Sequence, residues 1–317
     1  MKRFLAASCF KLLRKNKFIL FLVPSLLTLI ILGYLSQYRA VYLHVAKLSD
    51  HSFLMLPNSS CQTRPPFLVL LVTSAQDQLV ARSAVRQTWG RVRTAHGQRV
   101  VTYFLLGYSR EHQEQLQKES SLHKDIIQKN FTDSYYNLTL KVLMGLEWVN
   151  RFCPSVSFVM KTDSDMFVNV DYLTELLLRM NHKDIFTGFV MRNFGPDRNN
   201  SSKWYISEQE YPQEKYPPFC SGTGYVMSAD VANRVWNISR IVPYFKLEDV
   251  YIGLCLAELK IDPVEIHSEE KFFNWKVPFS VCKFRKLITV HQVNPSELLI
   301  YWKAMEDTAD KHCPGDV

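Results

Sequence analysis

Residues Val156 to Val168 read VSFVMKTDSDMFV, an apolar run that stops at two carboxylates, Asp163 and Asp165. An apolar, β-branched run of this kind is typical of a buried strand. Side chains two residues apart on an extended chain point to the same side, so both carboxylates can face one site. In open α/β sheets, ligands bind just beyond the carboxyl ends of the strands. The stretch therefore predicts either a divalent-cation site facing a phosphate or a polar turn after a strand, since Asp and Ser are also good turn residues.

The amino-terminal end of the chain predicts a membrane anchor. Residues 1–17 contain six Lys and Arg residues and no acid, and residues 18–35 contain no charged residue. As a helix, the uncharged run spans about 27 Å, close to the hydrocarbon thickness of a bilayer. The positive-inside rule then places residues 1–17 in the cytosol. We expect an uncleaved type II signal anchor at 18–35, a lumenal stem at 36–64 and one folded domain at 65–317. A cleavable signal peptide is disfavoured because no small-x-small site follows the run.

The basic balance of the chain lies mostly in that tail. The sequence has 38 Lys and Arg residues against 30 Asp and Glu residues, a formal charge of +8. Without the six tail cations, 32 basic residues remain against 30 acidic ones. A nucleic-acid-binding domain requires clustered cations on its folded surface. We therefore expect no nucleic-acid partner.

Cysteines and glycosylation motifs indicate an oxidising compartment. Cys9 lies in the tail, and an even number of cysteines beyond the anchor allows up to three disulfides. These cysteines are Cys61, Cys153, Cys220, Cys255, Cys282 and Cys313. Asn-x-Ser/Thr motifs, candidates for N-glycosylation in a lumenal domain, occur at Asn58, Asn130, Asn137, Asn199, Asn200 and Asn237.

From Pro65 onward, apolar strands alternate with helices. Such alternation predicts an α/β fold with a mostly parallel central sheet and helices on both faces. The predicted strands are 67–73, 99–107, 125–128 and the run into Asp163, and the predicted helices are 78–89, 111–123, 133–152 and 172–180.

Three further stretches carry residues suited to a site. Gly222 and Gly224 lie beside an apolar strand, where they serve either a close approach of backbone to ligand or a tight turn. Glu248 and Asp249 open an apolar helix, where acids favour the helix dipole or supply a general base. His291 ends a short apolar strand, as a metal ligand or as a structural hydrogen-bonding group.

Together these pieces closely resemble the β-1,3-galactosyltransferases of glycosyltransferase family 31. The resemblance runs from about Pro65 to Cys313 and is specific in combination. It rests on Phe67 to Ser74, Ala84 to Gly90, Asp133 to Lys141, Lys161 to Val170, Tyr216 to Val226 and Glu248 to Leu256.

This resemblance implies a fold, a compartment and a set of substrates. The implied fold is the GT-A type of nucleotide-sugar transferase, with residues 65–317 as the catalytic domain. Family members are single-pass type II proteins of the Golgi membrane with a lumenal catalytic domain. They use a UDP-sugar and Mn²⁺ and invert the anomeric carbon. We therefore expect UDP-galactose as the donor and manganese as the cofactor.

The resemblance also assigns metal ligands. Asp165 matches the direct ligand, His291 matches a histidine at the metal, and Asp163 is a further candidate that orients the donor sugar or ribose. Carboxylate plus imidazole suits manganese better than magnesium, which prefers oxygen ligands. Many relatives have Asp-Asp-Asp where this chain has Asp163-Ser164-Asp165, so any role of a middle acid is absent here.

For the base, Asp249 matches the family's residue, and Glu248 is the local alternative because the sequence does not say which carboxylate points inward. A sugar and acceptor loop is expected at Gly222, Thr223 and Gly224. The predicted donor-binding residues are Thr73, Arg82, Arg86, Trp89, Lys161, Asp163 and Ser164. The alternative interpretation is that these residues belong to a helix surface or to the core.

The function implied is transfer of galactose to the 3-hydroxyl of a terminal N-acetylglucosamine on glycoproteins or glycolipids, which is type 1 chain synthesis. A β-1,3-N-acetylglucosaminyltransferase is one alternative, because the donor does not follow from spacing. A non-catalytic lumenal chaperone or binder on the same fold is the other. A degenerate relative would be expected to lose the metal acids or the base, yet Asp163, Asp165, Asp249 and His291 are all present.

Overall fold

The computed structural model describes residues 23–33, 52–58, 61, 63–309 and 313. Residues 23–33 are helical and exposed. Within these described ranges, no helix combines the length and the apolar character needed to cross a bilayer. The predicted tail at 1–17 and the rest of the predicted anchor at 18–35 lie outside the described residues, as does Cys9.

The folded unit alternates strands and helices as the sequence predicts. Its strands are β1 (Phe53–Met55), β2 (Leu68–Thr73), β3 (Thr94–Ala95), β4 (Gln98–Tyr108), β5 (Ile126–Thr132), β6 (Phe158–Asp163), β7 (Phe167–Val168), β8 (Phe186–Met191), β9 (Phe219–Ser228), β10 (Phe272–Phe273) and β11 (Thr289–Val290). Its α-helices are α1 (Leu79–Gln87), α2 (Gln113–His123), α3 (Leu138–Phe152), α4 (Val170–Leu178), α5 (Ala229–Ile238), α6 (Glu248–Glu258), α7 (Val281–Arg285) and α8 (Pro295–Asp307), with 3₁₀ turns at Trp89–Arg91 and Tyr135–Asn137.

The central sheet is mixed, so the prediction of a mostly parallel sheet is wrong. Its strand order is β1-β5-β4-β2-β6-β9-β8, with β3 paired to β4. The four middle strands β5, β4, β2 and β6 are parallel, because α1, α2 and α3 carry the chain back between them. The flanking strands β1 and β9 run antiparallel to their inner neighbours, and β8 runs antiparallel to β9. The α/β class itself is confirmed.

Both faces of the sheet are covered. Strand β2 is buried along its whole length, with Val69 and Leu71 in one apolar cluster and Leu68, Leu70 and Val72 in the other. Helices α3, α5 and α6 contribute to the first cluster, and α1, α2, α4, α7 and α8 contribute to the second. Burial on both faces explains why this strand reads as a continuous apolar run rather than an alternating one.

A second, three-stranded sheet of order β10-β11-β7 brings distant parts of the chain to the end of β6. Its β11 pairs antiparallel with β7, with Val290 opposite Phe167. The backbone N–H of Val293 donates to the carbonyl of Asp165 at 3.0 Å. This pairing places His291 beside Asp165.

Part of the predicted stem belongs to the folded unit. Strand β1 pairs with β5, and the ring of Phe53 packs edge-on against Phe152 at 5.8 Å between centroids. The ammonium of Lys129 lies 4.6 Å from the Phe53 ring. A disulfide joins Cys61 to Cys153 just after α3. We call residues 53–58 and Cys61, with these contacts, the amino-terminal clasp.

The described cysteines form two disulfides. Besides Cys61–Cys153, a bond joins Cys282 to Cys313. Cys220 and Cys255 are buried free thiols, and burial raises their pKa. The even count of cysteines thus corresponds to two bonds and two buried thiols.

Candidate active site

The carboxyl ends of β2 and β6 form one side of the site. Their register places Thr73 opposite Asp163, and the Thr73 hydroxyl donates to Asp163 Oδ1. Lys161 Nζ donates to the same oxygen at 2.7 Å. These residues are brought together as predicted, and their contacts hold the Asp163 carboxylate in one orientation.

Lys161 links the two strands that flank the site. Its ammonium also donates to the carbonyl of Gly222 on β9 and lies 3.5 Å from Glu248 Oε2. Burial alone would lower the pKa of Lys161, but Asp163 and Glu248 outweigh it and raise the pKa. Lys161 is therefore a buried cation that joins β6, β9 and the start of α6.

Glu248 is buried, and both of its carboxylate oxygens contact protein groups. The Tyr225 hydroxyl donates to Oε1, while Oε2 faces Lys161. Burial raises the pKa of Glu248 to about 7, and the ammonium of Lys161 opposes that rise. Sequence reasoning missed Tyr225, because a tyrosine within an apolar strand resembles any other core residue.

Asp249 is held by backbone groups rather than by side chains. Its Oδ2 accepts the N–H of Gly222 at 3.1 Å, and its Oδ1 accepts the N–H of Val250 at 2.9 Å. Burial raises the pKa of Asp249, and these backbone hydrogen bonds oppose the rise. Asp249 is half-buried whereas Glu248 is buried. Asp249 is thus the more accessible of the two candidate bases, with a fixed orientation.

Gly222, Thr223 and Gly224 lie in strand β9, so the prediction that they form a loop is wrong. A methyl group at Gly222 would lie 3.4 Å from Asp249 Oδ2 and 3.4 Å from Glu248 Oε2. The chain is extended here because β9 pairs with β6, with Gly224 opposite Thr162. The absence of a side chain at Gly222 leaves the space beside both carboxylates open.

Asp165 and His291 form a second pair at the end of β6. His291 Nε2 lies 3.2 Å from Asp165 Oδ2, and His291 Nδ1 lies 3.1 Å from the carbonyl of Asn274. Burial would raise the pKa of Asp165 and lower that of His291. Their mutual hydrogen bond outweighs burial in both, so the pKa of Asp165 is lowered and that of His291 is raised.

This pair fits a divalent metal. The hydrogen bond to the Asn274 carbonyl keeps a proton on Nδ1, so once Nε2 gives up the proton that it shares with Asp165, its lone pair is available to a metal. The Asp165 side chain is 53% exposed, which leaves room for further ligands. Among the described residues, no group of three or more His, Cys, Asp or Glu side chains is positioned to hold a metal. The pair would therefore supply two ligands, and the others would come from substrate or water.

Ser164, predicted to contact the donor, is buried and turned toward the protein. Its hydroxyl donates to Gln78 Oε1 at 3.2 Å, and the same oxygen accepts the N–H of Ala75 at 3.0 Å. Gln78, which sequence reasoning did not single out, thus ties the segment after β2 to the end of β6.

Arg82 is buried, and all five of its N–H donors are used within the protein. Its Nε and Nη2 donate to Glu119 at 2.8 and 2.7 Å. The remaining donors reach Ser74, Ala75 and Gln76. Arg82 therefore positions the segment that follows β2 and retains no N–H group for a direct donor contact.

Arg86 and Trp89 also contact protein groups. Arg86 forms a two-pronged hydrogen bond with Asp125 at 2.8 and 2.9 Å and lies 2.7 Å from Glu119. Its buried Nη1 has no hydrogen-bond partner among the described residues. The indole N–H of Trp89 donates to the carbonyl of Met166 at 2.9 Å, which fixes the turn that carries Asp165.

The candidate glycosylation sites differ in exposure. Asn137 is half-buried, and its amide donates to the carbonyl of Thr132 at 2.8 Å. The exposed ones are Asn58, Asn130, Asn199, Asn200 and Asn237.

Comparison with known proteins identifies the family. The Galactosyltransferase family model matches residues 80–267, more than half of the chain. Beta-1,3-galactosyltransferase 5 of Mus musculus is 54% identical over 274 residues, covering 86% of this chain and 89% of that protein. The Homo sapiens protein of that name is 55% identical over 268 residues, covering 84% and 86%. A solved structure, the WbbM bifunctional glycosyltransferase, aligns over 78% of this chain and 52% of that chain with 10% identity and a TM-score of 0.42. The resemblance predicted from the motifs is confirmed, and the chain belongs to the galactosyltransferase family.

Proposed function

We propose that this chain is an inverting glycosyltransferase that moves galactose from UDP-galactose to the 3-hydroxyl of a terminal N-acetylglucosamine. The acceptor would be carried by a glycoprotein or a glycolipid. Membership of the galactosyltransferase family supports galactosyl transfer. The observation that carries the mechanism is the oriented, accessible carboxylate of Asp249 beside the Lys161–Asp163 network.

In this proposal Asp249 is the general base. The acceptor oxygen forms a bond to the anomeric carbon while the bond to UDP breaks, and the electron pair of that bond leaves with UDP. The acceptor hydroxyl gives its proton to Asp249. Backbone N–H groups of Gly222 and Val250 hold both oxygens, so the carboxylate needs no reorganisation before it accepts the proton.

In this proposal Glu248 and Lys161 hold Asp249 and Gly222 in position and do not accept the proton themselves. Lys161 fixes Gly222 through its carbonyl, and Gly222 fixes Asp249 through its N–H. Both oxygens of Glu248 already face Tyr225 and Lys161. This arrangement favours Asp249 over Glu248 as the base.

Asp165 and His291 would hold a Mn²⁺ ion. Such an ion would stabilise the negative charge that develops on the diphosphate leaving group. A carboxylate and an imidazole are a ligand pair that manganese accepts readily. Asp163, held by Thr73 and Lys161, would orient the ribose or sugar of the donor.

We further propose a GT-A type fold and a single-pass type II topology in the Golgi membrane, with the catalytic domain in the lumen. The six cations before an uncharged run at 18–35 support the topology. The two disulfides are consistent with an oxidising lumen.

The direct test uses the full-length chain in detergent with a panel of UDP-sugars and simple glycoside acceptors. We expect the product from UDP-galactose and a terminal N-acetylglucosamine to exceed every other pair. A clear preference for UDP-N-acetylglucosamine would instead identify an N-acetylglucosaminyltransferase. Binding without transfer of any sugar would identify a non-catalytic lumenal protein.

A further inference from the structure

Three segments of the chain converge just before Asp249. The Tyr244 hydroxyl donates to the carbonyl of Tyr136 at 2.8 Å, which joins the 3₁₀ turn before α3 to the segment that enters α6. Lys246 Nζ donates to Glu210 at 2.9 Å, which joins the same segment to the long connection between β8 and β9. These two hydrogen bonds hold the turn at Tyr136 and the connection at Glu210 against the segment that leads into Asp249.

Exposed aromatic rings lie at this junction. The side chains of Tyr135 and Trp204 are 43% and 52% exposed. Lys203 Nζ lies 5.5 Å from the Tyr135 ring centroid and 4.6 Å from that of Trp204. We call Tyr135, Lys203 and Trp204 the aromatic platform. Two exposed rings that face the same ammonium form one surface that the apolar face of a ligand can contact.

The segment that carries Trp204 is held in place. Arg198 donates to the carbonyls of Ile206 and Tyr211 at 2.9 and 2.7 Å, so one guanidinium ties three parts of the connection together. The backbone N–H of Trp204 donates to the Ser202 hydroxyl at 3.1 Å. The exposed ring is thus presented by a hydrogen-bonded segment.

The platform also lies within electrostatic reach of the catalytic carboxylates. Burial is the main cause that raises the pKa of the Tyr135 phenol, and a hydrogen bond with Trp204 opposes the rise. The charges of Asp249, Asp163 and Lys161 also act on this phenol. The geometry agrees, because the Tyr135 ring lies 5.6 Å from the Tyr136 ring between centroids, and the Tyr136 carbonyl accepts the hydroxyl of Tyr244 on the segment that leads into Asp249.

A pyranose ring has an apolar C–H face and a polar rim of hydroxyls. Aromatic side chains with a polar edge offer apolar contact and hydrogen bonding together, and a lysine ammonium offers three donors to ring hydroxyls. We propose that the aromatic platform is an acceptor subsite, which binds a pyranose of the glycan acceptor so that its hydroxyl reaches Asp249. This inference rests on the proposed function and assigns the acceptor side of that site.

The test compares Trp204→Ala with Trp204→Phe and Tyr135→Phe in the full-length chain. We expect Trp204→Ala to raise the KM for an N-acetylglucosamine-terminated acceptor by roughly tenfold, the effect of losing one good aromatic contact. Hydrolysis of UDP-galactose in the absence of acceptor, and UDP affinity, should stay within about twofold of wild type. Trp204→Phe should recover most of the acceptor affinity, and Tyr135→Phe should retain it, because both keep a ring in place.

A second readout does not depend on turnover. Saturation-transfer NMR on the UDP-loaded protein with the acceptor oligosaccharide should show the sugar C–H signals in wild type and lose them in Trp204→Ala. If wild type shows these sugar C–H signals, Trp204→Ala loses them, and no galactose is transferred, the acceptor subsite is supported and the proposed galactosyltransferase activity is refuted. If transfer is normal and Trp204→Ala leaves both acceptor KM and the NMR signals unchanged, the platform is refuted. A loss confined to UDP affinity would also refute it, by assigning the rings to the donor.

Discussion

Replacing Asp249 with asparagine removes the proposed base while keeping the shape of the side chain. Both carboxylate oxygens accept a backbone N–H, from Gly222 at 3.1 Å and from Val250 at 2.9 Å. An asparagine has one carbonyl oxygen, so its NH₂ group must face one of these two donors. The substitution therefore has a structural cost as well as a catalytic one.

The two costs have different sizes. A hydrogen bond to a charged group contributes about 1.5–3 kcal/mol, so the free energy of unfolding should fall by at most about that amount. A general base contributes typically about 10²–10⁴-fold to the rate, which corresponds to about 3–5 kcal/mol of activation free energy. Since a folded domain has about 5–15 kcal/mol of stability, Asp249→Asn should remain folded while its kcat collapses.

The assay measures kcat at saturating UDP-galactose and acceptor, UDP affinity by calorimetry, and thermal unfolding. Glu248→Gln is the matched control, because it changes the neighbouring carboxylate in the same helical turn. We expect Asp249→Asn to lose roughly 10²–10⁴-fold in kcat with nearly unchanged UDP affinity. Glu248→Gln should lose much less.

Near-normal turnover in folded Asp249→Asn would refute the assignment of the base. A collapse confined to Glu248→Gln would transfer that role to Glu248. A loss of kcat that only parallels the unfolded fraction would mean that Asp249 acts as a helix-end hydrogen-bonding group.

Three further predictions concern pH, metal and topology. The pKa of Glu248 is raised to about 7 in the folded state from 4.5. The stability that its protonated carboxyl contributes at low pH is therefore lost as the pH rises through 7. Glu248→Gln should therefore gain stability relative to wild type between pH 4.5 and 8, by up to roughly 3 kcal/mol; a pH-independent difference in unfolding free energy would contradict this. A chelator should abolish transfer, and Mn²⁺ should restore it best. Asp165→Ala should be inactive, and His291→Ala should require more metal for activity. An unchanged metal titration of His291→Ala would show that the imidazole is only structural. Removal of N-glycans by a glycosidase should shift the expressed protein on a gel, and the absence of a shift, with a control sequon used, would contradict a lumenal domain.

The sequence predicts the middle of the sheet well and its edges poorly. Strands buried on both faces, such as β2 and β4, appear as continuous apolar runs, and the helices between them force a parallel arrangement. An apolar run does not encode the direction of its strand, however. Strand β9 follows a long connection of residues 192–218, which lets it enter beside β6 in the antiparallel sense.

The sequence names candidate residues for the site, but it does not name the groups that they contact. The two-residue spacing of Asp163 and Asp165 suggests one shared site, but β6 ends at Asp163, so the alternation of an extended strand stops there. Asp163 bonds to Thr73 and Lys161, whereas Asp165 pairs with His291. Long-range pairing of β7 with β11 creates the second contact, and local sequence contains no signal for it.

The amino-terminal clasp bears on how this protein tolerates cutting of its chain. A cut after residue 64 would leave the amino-terminal piece attached to the folded unit, because the Cys61–Cys153 disulfide spans that position and β1 still pairs with β5. Deleting residues 1–64 is different, because it leaves Cys153 without its partner and opens the edge of β5, and an open strand edge pairs readily with another copy. If the chain has the proposed type II topology, release of the folded unit from its anchor therefore requires either a cut before Cys61 or reduction of this disulfide as well as a cut beyond it.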